Sequence, residues 1–406
     1  MSKKAWARQS ASLVEVQRYG SNLERHVREL LDWDSGRIEY DRERHYHIQT
    51  DCAFPSLIEP RAIASVTYSN PDNPGHSNEN KLQLKLGELA LLKNAYPKLV
   101  AVLVLGGTGE AWLRYVLKAF RYFYDDVFFL WEEDDVDRLT RIASKPDRIA
   151  PRHEQFWAAL RKGWKSRIKT PDGSKPPTGL VRYAILDTLI ASHNARMPSD
   201  IKNEIARFCM EASFNCGGTE WNHFKNEEWS AIEMSRSYFN PVEAATEISL
   251  RHGGFSYKGG LAKDVAVPSV LHQLGMSETK LSEDFVLRSR KFAGPVYIQC
   301  KASGGGRRQH GKNIQNRTKE QVARGILYSS NLDGERLTWH DKNYHWIAIV
   351  DGDWGVTSRE PLKYIHMLEL AGYDKIICAS DLLTSDLSVK RDSNPLVTYL
   401  EEIGCD

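Results

Sequence analysis

The chain reads as an α/β protein built from two tandem, related lobes, each a mixed sheet flanked by helices, with a mostly helical insert between them. Three observations predict this. The order helix, strands, helix, strand, helix, strand occurs twice along the sequence. Each repeat holds an almost continuous apolar run of strand length, Leu99-Val-Ala-Val-Leu-Val-Leu105 and Trp346-Ile-Ala-Ile-Val350, the pattern of strands covered on both faces. And 406 residues, 41% of them hydrophobic, exceed what one core usually absorbs. The expected boundaries are 1–135 for the first lobe, 136–235 for the insert and 236–406 for the second lobe.

Each element has a counterpart. Tyr19-Gly-Ser-Asn-Leu-Glu24 through Leu31 and Tyr238-Phe-Asn-Pro-Val-Glu243 through Leu250 both read as capped helices with a glutamate at the same place. Extended segments follow, Asp51-Cys-Ala-Phe-Pro55-Ser56 and Asp264-Val-Ala-Val-Pro268-Ser269, sharing the pattern Asp-x-Ala-x-Pro-Ser. A second strand starts after a proline in each half, Pro60 to Val66 and Pro295 to Lys301, then a polar loop and a helix over about 79–95 and 318–330. The apolar runs come next, each leading into glycine. The closing match pairs Leu113-Arg-Tyr-Val116 with Leu362-Lys-Tyr-Ile365, and Tyr124-Asp-Asp-Val-Phe128 with Tyr373-Asp-Lys-Ile-Ile377. Within the insert, Pro171-Asp-Gly-Ser-Lys-Pro-Pro-Thr-Gly179 marks a loop.

Composition narrows the class. With 28 Gly, 16 Pro and no short-period repeat, collagen-like and disordered chains are excluded, and 11 Trp with 17 Tyr supply core-forming surface. The N-terminal residues lack the apolar stretch of a signal peptide, and no run of about 18 apolar residues occurs, so a cytoplasmic protein without a membrane anchor is expected. Six cysteines without a CxxC pair fit reduced, buried thiols; Cys209, Cys216 and His223 are evenly spaced but lack a fourth zinc ligand. Net charge is +2, so attraction to a polyanion has to come from local patches.

The lobes differ where chemistry would lie. On the strand Val296-Tyr-Ile-Gln-Cys-Lys-Ala302, alternation sends Gln299 and Lys301 to one face and Val296, Ile298 and Cys300 to the other. Counting from the shared proline and isoleucine, the first lobe has Ala64 and Val66 there. These residues, in this order of elements, resemble the PD-(D/E)XK phosphodiesterase superfamily, which includes most type II restriction endonucleases. The resemblance covers about 236–390 in full form and about 10–135 as a degenerate copy. It implies that Asp264 is the motif aspartate, Gln299 the acidic position in its glutamine variant, Lys301 the motif lysine and Glu243 the accessory acid. Lys263 in place of proline and the long gap from Asp264 to Gln299 depart from the pattern. Asp284 lies closer to Gln299, but Leu281 to Arg288 reads equally as an exposed helix, and only Asp264 has a counterpart in the first lobe, so Asp264 is preferred.

The residue types suit the implied chemistry. Mg²⁺ takes hard oxygen ligands, which Asp264, the Gln299 amide and the Cys300 backbone carbonyl offer. Lys301 would help activate water or stabilise charge at phosphorus. From Lys301 to Arg324 the chain carries seven Lys or Arg against one Glu, marking Arg307, Arg308, Lys312, Arg317 and Lys319 as expected DNA contacts. A second patch places Lys162, Lys165 and Arg167 beside Trp157 and Trp164, two tryptophans that read more readily as a packing stripe than as base-stacking platforms. Gly306-Arg-Arg-Gln-His-Gly311-Lys312-Asn313 nearly spells a P-loop, but ends in Asn and precedes a helix expected only near Thr318. The sequence thus predicts a Mg²⁺-dependent, sequence-specific endonuclease for double-stranded DNA, with a DNA-acting NTPase or an inactive DNA-binding protein as alternatives. With one active site per chain, double-strand cleavage calls for a homodimer or for sequential nicking.

Overall fold

The computed structural model describes residues 13–68, 76–107, 120–175, 241–260, 265–274, 281–301, 307–350, 362–384 and 389–406. The class is mixed α/β, as the sequence predicts. Backbone contacts divide the chain into two units: one holds 1–166, 268–279 and 319–341, the other 167–267, 280–318 and 342–406. These units are not contiguous in sequence, unlike the expected lobes. Residues just past 135 belong to the first unit because Leu139 and Ile142 are part of its core.

In the first unit, α1 (Leu13–Leu31) precedes β1 (Asp34–Asp41), β2 (Tyr46–Phe54) and β3 (Ala62–Tyr68). These three are antiparallel neighbours, whereas β4 (Val100–Gly106) and β5 (Asp126–Phe129) run parallel to β3, giving the order β1-β2-β3-β4-β5. The parallel step from β3 to β4 needs a crossover, and α2 (His76–Ala95) supplies it. Leu23, Val27 and Leu31 recur every four residues on α1, and this stripe packs with Leu139 of α3 (Glu133–Ala143) on Ala64, Val66, Val102 and Val104. β4 is buried along its whole length, so its apolar run does not alternate. On α4 (Glu154–Trp164), Phe156, Trp157, Leu160 and Trp164 are buried at helical spacing. The two tryptophans are therefore a packing stripe, and Lys162 and Lys165 remain exposed.

The second unit repeats the plan. α5 (Pro241–His252) precedes β6 (Tyr257–Gly259); β7 (Val265–Ala266) and β8 (Ser282–Glu283), separated in sequence by the short helix α6 (Val270–Gln273) of the first unit, come before β9 (Phe285–Arg288) and β10 (Pro295–Lys301). α7 (Arg307–Tyr328) begins in this unit and continues into the first, which also holds the hairpin β11 (Ser330–Asp333) and β12 (Arg336–Trp339); the second unit's sheet resumes with β13 (His345–Val350). Then α8 (Lys363–Ala371) and β14 (Lys375–Cys378) follow, and α9 (Pro395–Glu402) closes the chain, capped by the Asn394 side chain. The sheet order is β6-β9-β10-β13-β14, two antiparallel pairs followed by two parallel ones, the same sequence of directions as in the first unit. The matched tyrosine segments lead into β5 and β14, the last strand of each sheet. Val242, Ala245 and Ile248 of α5 pack on Val296, Ile298 and Cys300, the face that alternation predicts to be apolar.

Three readings of the sequence are corrected. Val265 and Ala266 do not enter the five-stranded sheet; they pair only with Ser282 and Glu283 in a two-stranded ribbon. Leu281 to Arg288, read as an exposed helix, contains β8 and β9 instead, with Phe285 and Leu287 buried. And α7 starts at Arg307 rather than near Thr318. Its first turns are rich in Arg, Gln and Lys, good helix formers that give no apolar periodicity to read. The P-loop-like residues 307–313 are thus part of a regular helix and do not form a phosphate-cradling loop.

Candidate active site

Strand register fixes which residues of the two units correspond. Ala64 pairs with Cys52 on β2 and Val102 on β4, while Ile298 pairs with Phe285 on β9 and Ile347 on β13. Ile298 therefore stands where Ala64 stands. Gln299 and Lys301 then match Ser65 and Thr67, one residue on from the positions given by counting from the proline, and Asp284 matches Asp51. Because side chains alternate with a period of two, that single step moves the comparison to the other face of the sheet.

The hydrogen bonds agree with this register. In the second unit, Oδ2 of Asp284 accepts from the backbone N–H of Cys300 at 2.5 Å and from Nε2 of Gln299 at 2.5 Å. In the first, Oδ2 of Asp51 accepts from the N–H of Val66, the position matching Cys300, at 2.7 Å. β9 and β10 are joined by a short connection, so the end of one strand is held against the end of the next. Asp284 and Gln299 are buried, at 8% and 3% exposure, while Lys301 and Glu243 at the edge are half-buried. The Cys300 thiol reports the local potential. Burial pushes it well above its ordinary range, Asp284 and Glu243 push it further, and Lys301 opposes them only weakly. Two carboxylates and the lysine thus act electrostatically on the same thiol.

Among the described residues, the aspartate bonded to Gln299 is Asp284. Asp264, preferred from the sequence, lies outside the described residues. Asp264 is not alone in having a counterpart, because Asp51 corresponds to Asp284 by register and by hydrogen bond. A usable signal was present: Asp51 precedes Val66 by fifteen residues and Asp284 precedes Cys300 by sixteen, so only a strand reading of Phe285 to Arg288 was missing.

No family model matches this chain, and no curated protein or solved structure matches it. Among the described residues, no group of three or more His, Cys, Asp or Glu is arranged to hold a metal ion. What the second unit offers a hard cation is a mixed set of oxygens: the Asp284 carboxylate, the Gln299 amide once its oxygen turns inward, and the Cys300 carbonyl, with Glu243 alongside.

The first unit fills the matching place differently. Nζ of Lys85 on α2 lies 2.6 Å from Oδ2 of Asp51 and 3.3 Å from Glu88. Lys319 reaches Glu88 at 2.6 Å. Burial lowers the Lys85 pKa, but Asp51 and Glu88 outweigh it and hold the ammonium charged. Burial and the Asp51 charge raise the Glu24 carboxyl. Ammonium groups therefore neutralise the acids where the second unit has a neutral glutamine.

Two of the expected DNA contacts are engaged within the fold. Lys319 is 3% exposed and held by Glu88, so it does not present a charge to solvent. Arg167 donates from Nη1 to the carbonyls of Leu370 and Ala371, closing the C-terminal turn of α8. Arg317 is exposed on α7, and Arg307, Arg308 and Lys312 fall on its first two turns, where side chains lie outside the described residues, as do Cys209, Cys216 and His223. No helix among the described residues is long and apolar enough to cross a membrane.

Proposed function

We propose that the protein is a Mg²⁺-dependent phosphodiester hydrolase acting on double-stranded DNA, with its site in the second unit at Asp284, Gln299, Lys301 and Glu243. The observation that carries this reading is the contact of Asp284 with both Gln299 and the Cys300 backbone, with Lys301 two residues on along the same face. An aspartate immediately before one strand, an amide and a lysine on the next, and a glutamate on the preceding helix are the residue types that the PD-(D/E)XK resemblance implies, once Asp284 takes the place first given to Asp264.

In this reading Asp284, Gln299 and the Cys300 carbonyl hold the ion and Glu243 orients a water at its edge. Bound Mg²⁺ would supply Lewis acidity at the phosphate and lower the pKa of a ligated water. Lys301 contributes a positive charge at the place where negative charge grows on phosphorus, a form of stabilisation that matters most in a site shielded from water. The neutral amide of Gln299 leaves the site less negative than a second strand carboxylate would, which eases the approach of an anionic substrate.

The test is cleavage of supercoiled plasmid by the purified protein with Mg²⁺, against the same reaction in EDTA. Nicked or linear product with Mg²⁺ alone, lost in Lys301→Ala and in Asp284→Ala while Asp264→Ala still cuts, is the expected result. Cutting that survives Lys301→Ala and Asp284→Ala would remove the site from this place in the fold.

A further inference from the structure

A second site lies in the first unit. At the start of β5, a concavity of about 400 Å³ is walled by Asp125, Asp126, Phe128, Arg138, Arg141, Ile142, Arg148, Ile149, Ala150 and Arg152. The acids in this wall are already engaged. Asp125 is 2% exposed and accepts from Lys93 at 2.8 Å, from the N–H of Ala101 and from the N–H of Arg152. Asp126 accepts from the N–H of Val127 and from Arg138, whose other Nη bonds Asp135. Arg138 is thereby locked over the Phe128 ring, 4.9 Å from its centroid. What remains is three guanidinium groups. Among the described residues, no carboxylate forms an ion pair with Arg141, Arg148 or Arg152, although all three line one hollow. Three cations lining one hollow repel one another, and with Asp125 and Asp126 already paired to Lys93 and Arg138 the hollow carries a net positive charge that favours an anion. Guanidinium forks fit tetrahedral phosphate oxygens two at a time, and the floor formed by Phe128, Ile142 and Ile149 gives apolar surface beside them.

We propose that this pocket binds the phosphate of a phosphate ester, with Arg141, Arg148 and Arg152 as its ligands. The site is separate from the candidate active site and does not rest on the proposed hydrolase activity. Its volume is suited to one nucleotide rather than to a strand passing through, so the ester is either a free nucleotide or the phosphorylated end of a nucleic acid strand.

The experiment is titration calorimetry of the full chain at low salt with adenosine 5′-monophosphate, and with two single-stranded oligonucleotides of one sequence, one carrying a 5′-phosphate and the other a 5′-hydroxyl. Saturable one-to-one binding is expected, weakening by about tenfold or more in the double variant Arg141→Gln, Arg148→Gln, since charged hydrogen bonds are lost. The difference in affinity between the 5′-phosphate and 5′-hydroxyl strands, and the affinity for the mononucleotide, should survive EDTA, which would strip the proposed Mg²⁺ site and so separates this site from the hydrolase reading. A preference for the 5′-phosphorylated strand that vanishes in the double variant supports a strand end; binding of the mononucleotide without that preference supports a free nucleotide. Because both changed residues are exposed, the double variant should keep the wild-type melting temperature. No saturable binding of any of the three probes, or full affinity in a folded double variant, would overturn the proposal.

Discussion

Replacing Lys319 with methionine separates a buried ion pair from a DNA contact. The Nζ of Lys319 lies 2.6 Å from Glu88, and the two side chains are 4% and 8% exposed. The fit is close: a Cβ at Gly87 would come within 2.1 Å of the Lys319 carbonyl oxygen, so only glycine lets the chain approach there. Removing one member of a buried pair costs about 3–5 kcal/mol when the other charge is left alone. Here Lys85 still neutralises Glu88 from 3.3 Å, and methionine refills the volume, so a loss of about 2–3 kcal/mol is expected. The loss should depend on pH in a definite direction. Burial pushes the Glu88 carboxyl up, but Lys319 and Lys85 together outweigh it and hold the carboxyl below its ordinary range. A lowered carboxyl pKa in the folded state stabilises above the unfolded value, near 4.3, and that contribution fades as pH falls through the folded value. In Lys319→Met the lowering is reduced, so the gap between the two proteins should be widest near neutral pH and narrow as pH drops below about 4. Urea unfolding at several pH values measures the gap, and DNA binding from about 50 to 200 mM salt measures the charge presented to DNA. A variant with wild-type stability and a shallower salt dependence would refute the burial of Lys319 and restore it as a phosphate contact.

Other outcomes follow from the same contacts. Arg167→Ala should lower stability by about 1–2 kcal/mol through the lost hydrogen bonds to Leu370 and Ala371, with DNA affinity unchanged in a binding titration. Trp164→Ala, which empties a buried position on α4, should cost about 3–5 kcal/mol, read by thermal unfolding. The Cys52 thiol is pushed up to about 12, by burial first and by the Asp51 charge second; in the native protein at neutral pH it should resist alkylation that modifies it rapidly in urea, as mass spectrometry of the labelled peptide would show. Asp284→Asn should fold, because its amide oxygen still accepts from the Cys300 N–H, yet bind Mg²⁺ and Mn²⁺ more weakly than the parent in calorimetry; equal affinity would mean that Asp284 holds no ion.

Much of the architecture was legible in the linear pattern. Apolar runs such as Leu99 to Leu105 marked β4 because a strand buried on both faces has no polar positions to interrupt it. The tyrosine segments at Tyr124 and Tyr373 located the last strand of each sheet. Less legible were the short or polar elements. β9 has four residues, too few for alternation to stand out, and the first turns of α7 are polar on all sides. The candidate site was half visible: Gln299, Lys301 and Glu243 carry useful chemistry in their own right, but their aspartate is chosen by strand pairing, and pairing is a long-range contact.

The composition and local periodicity of this chain determined that it forms α/β structure twice over and which strand bears Gln299 and Lys301, since side-chain alternation and apolar spacing are properties of neighbouring residues. Only the folded arrangement decided that Asp284 bonds Gln299, that Lys85 and Lys319 neutralise the matching acids of the first unit, and that Arg141, Arg148 and Arg152 share one hollow. Those relations depend on register between separate strands and on which charges meet away from water, where an unpaired ion is costly and its neighbour, however distant in sequence, sets its chemistry.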